Sequence, residues 1–287
     1  MQERNEYPPG VPCWVDSGQP DPVAAAEFYG GLFGWRTEER MPAEAPGNYI
    51  VALLHDREVA AVGSLPPEMP QEAAWNTYIC VESADESAAK ARDAGGSVVI
   101  EPFDVFEAGR MAVIADPAGA AFCLWQPRQM VGARLVNEAG SWNWCDLRTS
   151  DPEGAAEFYG TLFGWEATRI DVGPGTTTLW RAPGYGDFLE GTVDPEIRKR
   201  QQEVGAPAGF EDAIGWLVPL ERSTTPEAAP HWHVTFAVDD ADASAERARQ
   251  LGGEVAVPPT DMPWVRISVL RDPQGAAFTV NQFQPPE

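Results

Sequence analysis

Apolar side chains at Val23, Ala26, Phe28 and Leu32 recur at three- and four-residue spacing, which predicts a helix with one buried face. Asp21 ahead of Pro22 is placed to cap its start, and Gly34 ends it. Before this helix the period drops to two. Cys13 and Val15 alternate with Trp14 and Asp16, which predicts a strand over Pro12–Asp16, and further strands are expected at Tyr49–Leu54 and Glu58–Leu65. The pattern then restarts with a strand over Asn76–Val81, a helix over Ala84–Ala94 and a stop at Gly95-Gly96. Strands at Val98–Glu101, Met111–Ala115 and Ala121–Trp125 follow, so this half reads as two β-α-β-β-β units.

The same order returns in the second half. Pro22–Trp35, with its Phe28-Tyr29-Gly30 and Leu32-Phe33-Gly34-Trp35, matches Pro152–Trp165, and Asp116-Pro117-Ala118-Gly119 matches Asp272-Pro273-Gln274-Gly275. The chain is therefore a tandem duplication. Strands at Trp142–Arg148, His233–Val238 and Ala276–Gln282 and helices at Pro152–Phe163 and Ala241–Leu251 correspond to those of the first half. The numbering offset grows from 130 at Phe28/Phe158 to 156 at Asp116/Asp272, which puts about 26 extra residues in the second half. Asp194–Pro230 is the expected place for them, with a helix over Pro195–Val204 and an apolar patch over Gly215–Leu220. Such an insertion suits either a surface excursion or dimer contact, or a lid over one pocket.

Asp21…Phe28-Tyr29…Leu32-Phe33-Gly34-Trp35, the strand His233–Asp240 followed by Leu251-Gly252-Gly253, and the terminal Asp-Pro-x-Gly strands together resemble the vicinal oxygen chelate superfamily, which includes glyoxalases, bleomycin-resistance proteins and extradiol dioxygenases. The resemblance implies an α+β fold of two tandem glyoxalase-like domains, residues 8–130 and 138–285, the second carrying the insertion near 194–230. In each, paired β-α-β-β-β units would curl a mainly antiparallel sheet into a cup for a small ligand. The superfamily hosts metalloenzymes and metal-free binders alike, so fold does not decide function.

Strand alternation says which side chains face the cups. Trp14, Asp16, Asn76, Tyr78, Cys123 and Trp125 should face the first, and Trp144, Asp146, Arg148, His231, His233, Thr235, Thr279 and Asn281 the second. The resemblance implies metal ligands (His, Gln or Glu) at the strand starts and Glu on the terminal strand. The first half offers Trp14, Asn76 and Cys123, with Val62 or a neighbour on the fourth strand; the second offers Trp144, His233 and Thr279, with Glu190 on the fourth strand. His231 and His233 share a strand face roughly 6.5–7 Å apart and could meet at one ion with Glu190 or Asp146. A chain with three histidines and no terminal-strand Glu disfavours such a divalent metal site, and no cofactor is expected.

Composition narrows the partners. A net charge of −24, from 44 acidic and 20 basic residues, opposes binding to nucleic acid or anionic membrane. The N-terminus shows no signal-peptide pattern, and Cys13, Cys80, Cys123 and Cys145 form no paired motif, so a cytoplasmic protein with reduced thiols is expected, as monomer or homodimer. Eleven tryptophans and the aromatic positions in both cups suit a small aromatic or polyketide-like metabolite. Two Trp-x-Asp pairs, Trp14/Asp16 and Trp144/Asp146, are either architectural or a shielded carboxylate with a raised pKa. The candidates are a metal-independent enzyme of secondary metabolism, of lyase or isomerase type, with Asp146, His233 and Arg148 as catalytic groups; a sequestering binder of antibiotic-resistance type; or a metal-dependent lyase or dioxygenase. Trp144, His231, Thr279, Glu190, Trp14, Asp16, Asn76, Tyr78 and Trp125 are the candidate ligand contacts.

Overall fold

The structure is a computed structural model that describes residues 2–65, 72–172, 175–222 and 229–285. A short strand β1 (Gln2–Glu3) precedes a first sheet made of β2 (Pro12–Gln19), β3 (Arg36–Glu39), β4 (Tyr49–Leu54), β5 (Arg57–Ser64), β6 (Ala74–Cys80), β7 (Ser97–Val105), β8 (Gly109–Ala115) and β9 (Ala121–Pro127). Helices α1 (Pro22–Phe33) and α2 (Ala84–Asp93) follow β2 and β6. The spatial order is β3-β4-β5-β2-β6-β9-β8-β7. A connecting strand β10 (Leu135–Val136) pairs with β1.

The second sheet contains β11 (Trp142–Thr149), β12 (Glu166–Val172), β13 (Gly175–Arg181), β14 (Ala213–Pro219), β15 (His231–Ala237), β16 (Glu254–Met262), β17 (Val265–Arg271) and β18 (Ala277–Phe283). Its helices are α3 (Pro152–Phe163), α4 (Tyr185–Thr192), α5 (Ile197–Glu203) and α6 (Ala241–Gln250). The order β12-β13-β14-β11-β15-β18-β17-β16 reproduces the first sheet. Two tandem α+β units of paired β-α-β-β-β motifs are therefore present, as the duplication required. The sequence reading named no strand for β1, β3, β10, β12, β13, β14, β16 or β17. β3 is a mostly exposed four-residue strand of Arg, Thr and Glu, and it has no apolar face to reveal it.

Helix ends follow the local chemistry. Asp21 Oδ1 accepts the Ala24 N–H at 3.0 Å and Asp151 Oδ1 accepts the Gly154 N–H at 3.0 Å, while Gly34 and Gly164 close the helices at φ 75° and 76°.

The insertion starts and ends earlier than expected, overlapping the expected span over 194–212, where the expected helix is α5. It begins directly after β13, contains α4, α5 and the turn at Phe210–Asp212, and ends where β14 starts at Ala213. The patch at Gly215–Leu220 is the fourth strand itself, held between β11 and β13. Its cup face carries Trp216 and Val218 and its helix face Leu217, all apolar, so the run reads as a patch rather than as an alternation.

The helix-covered faces of the two sheets pack on each other, and the repeated motifs make that contact reciprocally. Phe28 meets Phe278 at 6.5 Å and Phe33 meets Phe236 at 4.9 Å, while Phe158 meets Phe122 at 6.3 Å. Trp35 Nε1 donates to the Gly140 carbonyl and Trp165 Nε1 to the Gly10 carbonyl, both at 2.6 Å. Tyr29 donates to Asp272 Oδ2 at 2.9 Å, and Tyr159 to Asp116 Oδ2 at 3.3 Å. The other oxygen of each aspartate accepts two backbone N–H groups of its own turn. Each buried aromatic of this set contributes about 1.5–3 kcal/mol. With the helix faces joined in one core, the two cups face away from each other. All four cysteines are free and buried, and among the described residues no helix is long and apolar enough to cross a membrane.

Candidate functional site

Register identifies equivalent positions in the two cups. Asp16 pairs with Ala61 and Asn76, and Asp146 pairs with Trp216 and His233. Trp14 pairs with Tyr78 where Trp144 pairs with Thr235, and Cys80 pairs with Trp125 where Ala237 pairs with Asn281. Tyr49 lies opposite Gly63 two positions before Val51, which places it where the second half has Thr177.

The first cup is filled by its own walls. Tyr78 donates to Asp16 Oδ2 at 2.6 Å, Tyr49 to the same oxygen at 3.1 Å, and Asn76 Nδ2 to Oδ1 at 2.9 Å. Trp14 Nε1 donates to Tyr49 at 3.0 Å, and Trp125 Nε1 donates to the Met130 carbonyl at 2.9 Å. Trp14, Asp16, Tyr78 and Trp125 are all buried. A Cβ on Gly109 would stand 2.6 Å from the Trp125 ring, so glycine there lets the indole lie across the sheet. Burial pushes the Asp16 carboxyl up, and its three hydrogen bonds oppose that. The candidate contacts Trp14, Asp16, Asn76, Tyr78 and Trp125 thus come together as a mutually bonded cluster. The fourth-strand residue facing this cup is Ala61; Val62 pairs with Ser17 on the helix face.

The second cup has lost this filling. Tyr49, Tyr78 and Trp125 are replaced by Thr177, Thr235 and Asn281, and Asn76 by His233. Asp146 Oδ1 is buried with no hydrogen-bond partner, and so is Trp144 Nε1. Desolvation lifts the Asp146 carboxyl from its ordinary 3.8 to about 6, against the opposing pull of Arg148 and the Trp216 N–H. Arg148 is buried two residues further along the same strand face, at a position where the first half has Gly18. A Cβ on Gly18 would stand 2.6 Å from Leu65 Cδ2, so an arginine there would first have to displace that leucine.

His233 is buried, its Nε2 2.8 Å from Thr279 Oγ1. Burial drives its pKa well below 6.5, with Arg148 and His231 adding to that, so the ring is neutral at physiological pH. His231 has its ring centroid 6.1 Å from that of His233, and its Nδ1 lies 2.8 Å from the Ala229 carbonyl. Asn281 Nδ2 donates to Asn143 Oδ1 at 2.7 Å. Trp144 stacks on Phe210 of the insertion at 6.0 Å and 7° and meets Trp216 at 5.6 Å. Sequence reasoning missed both partners. The apolar run over Gly215–Leu220 marked a buried segment without saying that Trp216 faces the cup, and Phe210 carried no signal.

Glu190 is not in this cup. It stands on α4, ion-paired with Arg198, which also holds Asp187 at 2.6 Å and Glu211 at 3.4 Å. The reason is the position of the insertion: the residues following β13 fold into helix, and the fourth strand starts only at Ala213.

These features can be set beside known proteins. The model of the Glyoxalase/Bleomycin resistance protein/Dioxygenase superfamily matches residues 141–280, and that of a Glyoxalase-like domain matches residues 14–125. The chain belongs to this superfamily. It is 38% identical to "Putative glyoxylase CFP32" of Mycobacterium tuberculosis (strain CDC 1551 / Oshkosh) over 98% of this chain and 97% of the relative. It is 35% identical to the anthracycline biosynthesis protein DnrV of Streptomyces peucetius, over 97% and 95%. Among solved structures, the Mn(II)-bound glyoxalase from Novosphingobium aromaticivorans superposes with a TM-score of 0.60 at 14% identity, covering 98% of this chain and 83% of that one. The 2,3-dioxygenase LapB from Pseudomonas sp. KL28 gives 0.61 at 12%, covering 97% and 95%.

The donor set of this chain does not fit the divalent metal such folds can carry. The family's ligand positions hold Trp144, Trp216, His233 and Thr279, with the histidine already bonded to the threonine. No group of three or more His, Cys, Asp or Glu among the described residues is placed to hold an ion.

Proposed function

We propose that the second cup is a metal-independent proton-transfer site for a small aromatic, polyketide-like carbon acid, as in an isomerisation or cyclisation of secondary metabolism. The observation that carries this reading is the bare Asp146 oxygen, set against the triply bonded Asp16 at the equivalent position. A carboxylate with a pKa of about 6, shielded from water, is ionised at neutral pH and basic enough to accept a proton. Asp146 Oδ1 takes the proton from a carbon flanked by a carbonyl, and the C–H electron pair moves onto that carbonyl oxygen. Arg148 supplies the positive charge for the resulting enolate or phenolate. Return of the proton to another carbon completes an isomerisation. Neutral His233, fixed by Thr279, orients the ligand as a hydrogen-bonding group. Trp144, Trp216 and Phe210 give a planar ring its wall. The family membership and the anthracycline biosynthesis relative support an aromatic polyketide as the ligand class.

Deuterium incorporation into anthrone-type carbon acids in D2O, read by mass spectrometry, tests the proposal. Exchange above the buffer rate that vanishes in Asp146→Asn with ligand affinity kept supports it. The aromatic wall also favours a second reading, sequestration of an aromatic compound. Tight binding with no exchange in the wild type, and with Asp146→Asn changing affinity alone, would establish that reading instead.

A further inference from the structure

A second feature lies at the end of β11 remote from Arg148. A cavity of about 250 Å³ opens between the N-terminal segment, the start of β11 and the inserted helices. Arg4, Tyr7, Trp142, Tyr185, Leu189 and Phe210 are among its walls. The volume equals roughly eight liquid waters, enough for a fused or substituted aromatic ring.

Arg4 is the unusual member. It is only 4% exposed, and its Nε and Nη1 are buried without a hydrogen-bond partner. Its backbone is fixed by the N–H bond to the Arg134 carbonyl at 2.9 Å and by the β1–β10 pairing just before it. Of the carboxylates that share a wall with it, Glu3 is paired with Arg57, Asp56 with Arg36 and Glu58 with Arg40. Glu211 is held by Arg198, and Arg200 on the same wall is paired with Asp194. Tyr7 spends its hydroxyl on the Ala133 carbonyl at 2.7 Å. A buried guanidinium with unpartnered N–H groups is destabilising, and a chain of net charge −24 has carboxylates enough to have paired it. The fork of N–H donors matches a carboxylate, and the aromatic and aliphatic walls match an apolar body behind it.

We infer that this cavity binds a small aromatic carboxylate, its anionic group on Arg4 and its ring between the inserted helices and Trp142. The insertion then has a binding role: α4, α5 and Phe210 form one wall of this second site, and Trp144, stacked on Phe210, lines both this cavity and the cup. The site does not depend on the chemistry assigned to Asp146.

The test uses the full chain with 2-naphthoate and its neutral isostere 2-naphthamide, read by calorimetry and by thermal shift. Wild type is expected to bind naphthoate about 10- to 100-fold more tightly than the amide, the range of one charged hydrogen-bonded contact. Arg4→Met should erase that preference while raising the melting temperature of the ligand-free protein, which also shows that it folds. Leu189→Trp, which fills the cavity and keeps the arginine, should lose both ligands. Asp146→Asn should leave naphthoate affinity unchanged, and this separates the site from the proton-transfer proposal. The inference is overturned by no saturable naphthoate binding at millimolar concentration, by equal affinity for the two probes, by an undiminished preference in Arg4→Met, or by loss of binding in Asp146→Asn.

Discussion

Asp146→Asn should make the protein more stable at pH 8 while removing its proposed base. The substitution keeps the side-chain volume and removes a charge whose Oδ1 has no partner. Raising a carboxyl from 3.8 to about 6 on folding penalises the ionised native state by about 3 kcal/mol above pH 6. Asp146 keeps some solvent access, so the realised gain is about 1–3 kcal/mol, or roughly 2–5 °C in melting temperature for a chain of this size. The sign follows from linkage. The native state holds the proton more tightly than the unfolded chain, so wild-type stability falls as pH rises from 3.8 through about 6. The advantage of Asn is therefore complete at pH 8, about half that at pH 5, and gone below pH 3.8. Denaturant melts of both proteins at pH 5 and pH 8 measure it. Asp16→Asn is the control: Tyr49, Tyr78 and Asn76 all donate to that carboxylate, and an amide cannot accept them all, so its gain should be smaller or reversed. A destabilised Asp146→Asn at pH 8, or an increment independent of pH, would refute the account of Asp146 as an unsatisfied buried carboxylate.

Other outcomes follow from the same geometry. Turnover in the second cup, expressed as kcat/KM, should rise with pH through about 6 as Asp146 ionises, and a profile flat from pH 5 to 8 would argue against this base. His233 is held neutral, so its site loses stability as pH falls through 6.5; His233→Gln should flatten that part of the urea-melt profile. Tyr29→Phe leaves Asp272 Oδ2 short of a donor and the Trp75 N–H without its acceptor, and should cost about 1–3 kcal/mol in chemical denaturation. Filling the second cup by Thr235→Tyr should supply Asp146 with a hydroxyl, lower its pKa as followed by carboxyl NMR, and abolish ligand binding.

The fold was legible because its signals are local and repeated. Asp21 and Gly34 bound one helix as Asp151 and Gly164 bound its copy, and strand alternation assigned both faces of both sheets. The pairing of the cup residues was legible for the same reason, since Asp146 and His233 needed only parity to face one another. Other features were not. Glu190 was misplaced because an offset counts inserted residues without locating them, and its helix follows β13 without a side-chain cap. Phe210 and Arg4 reach their positions through tertiary contacts, one from a short turn and one from a segment before the first sheet. No periodicity marks either. Nor does sequence distinguish a self-bonded cup from one with unpartnered groups, because Trp14 and Trp144 look alike until their neighbours across the sheet are known.

That difference is what the duplication provides. The reciprocal aromatic, Trp–carbonyl and Tyr–Asp contacts use motifs present in both copies, so both copies must keep them for the halves to share a core. The cups face outward and lie outside this constraint. One copy has closed its cup with Tyr49, Tyr78 and Trp125, so that its aspartate acts as a structural acceptor. The other copy lacks these three groups, so the equivalent carboxylate keeps a buried oxygen without a donor, beside Arg148 and His233. The stability lost there is supplied by a closed, well-bonded partner half in the same core. A functional carboxylate can thus stay unsatisfied in one half because its counterpart is satisfied in the other. Transplanting Thr177, Thr235 and Asn281 into the first cup should therefore destabilise the chain by more than the three side-chain volumes alone predict, since Asp16 Oδ2 would lose both of its donors and only the Asn76 bond to Oδ1 would remain.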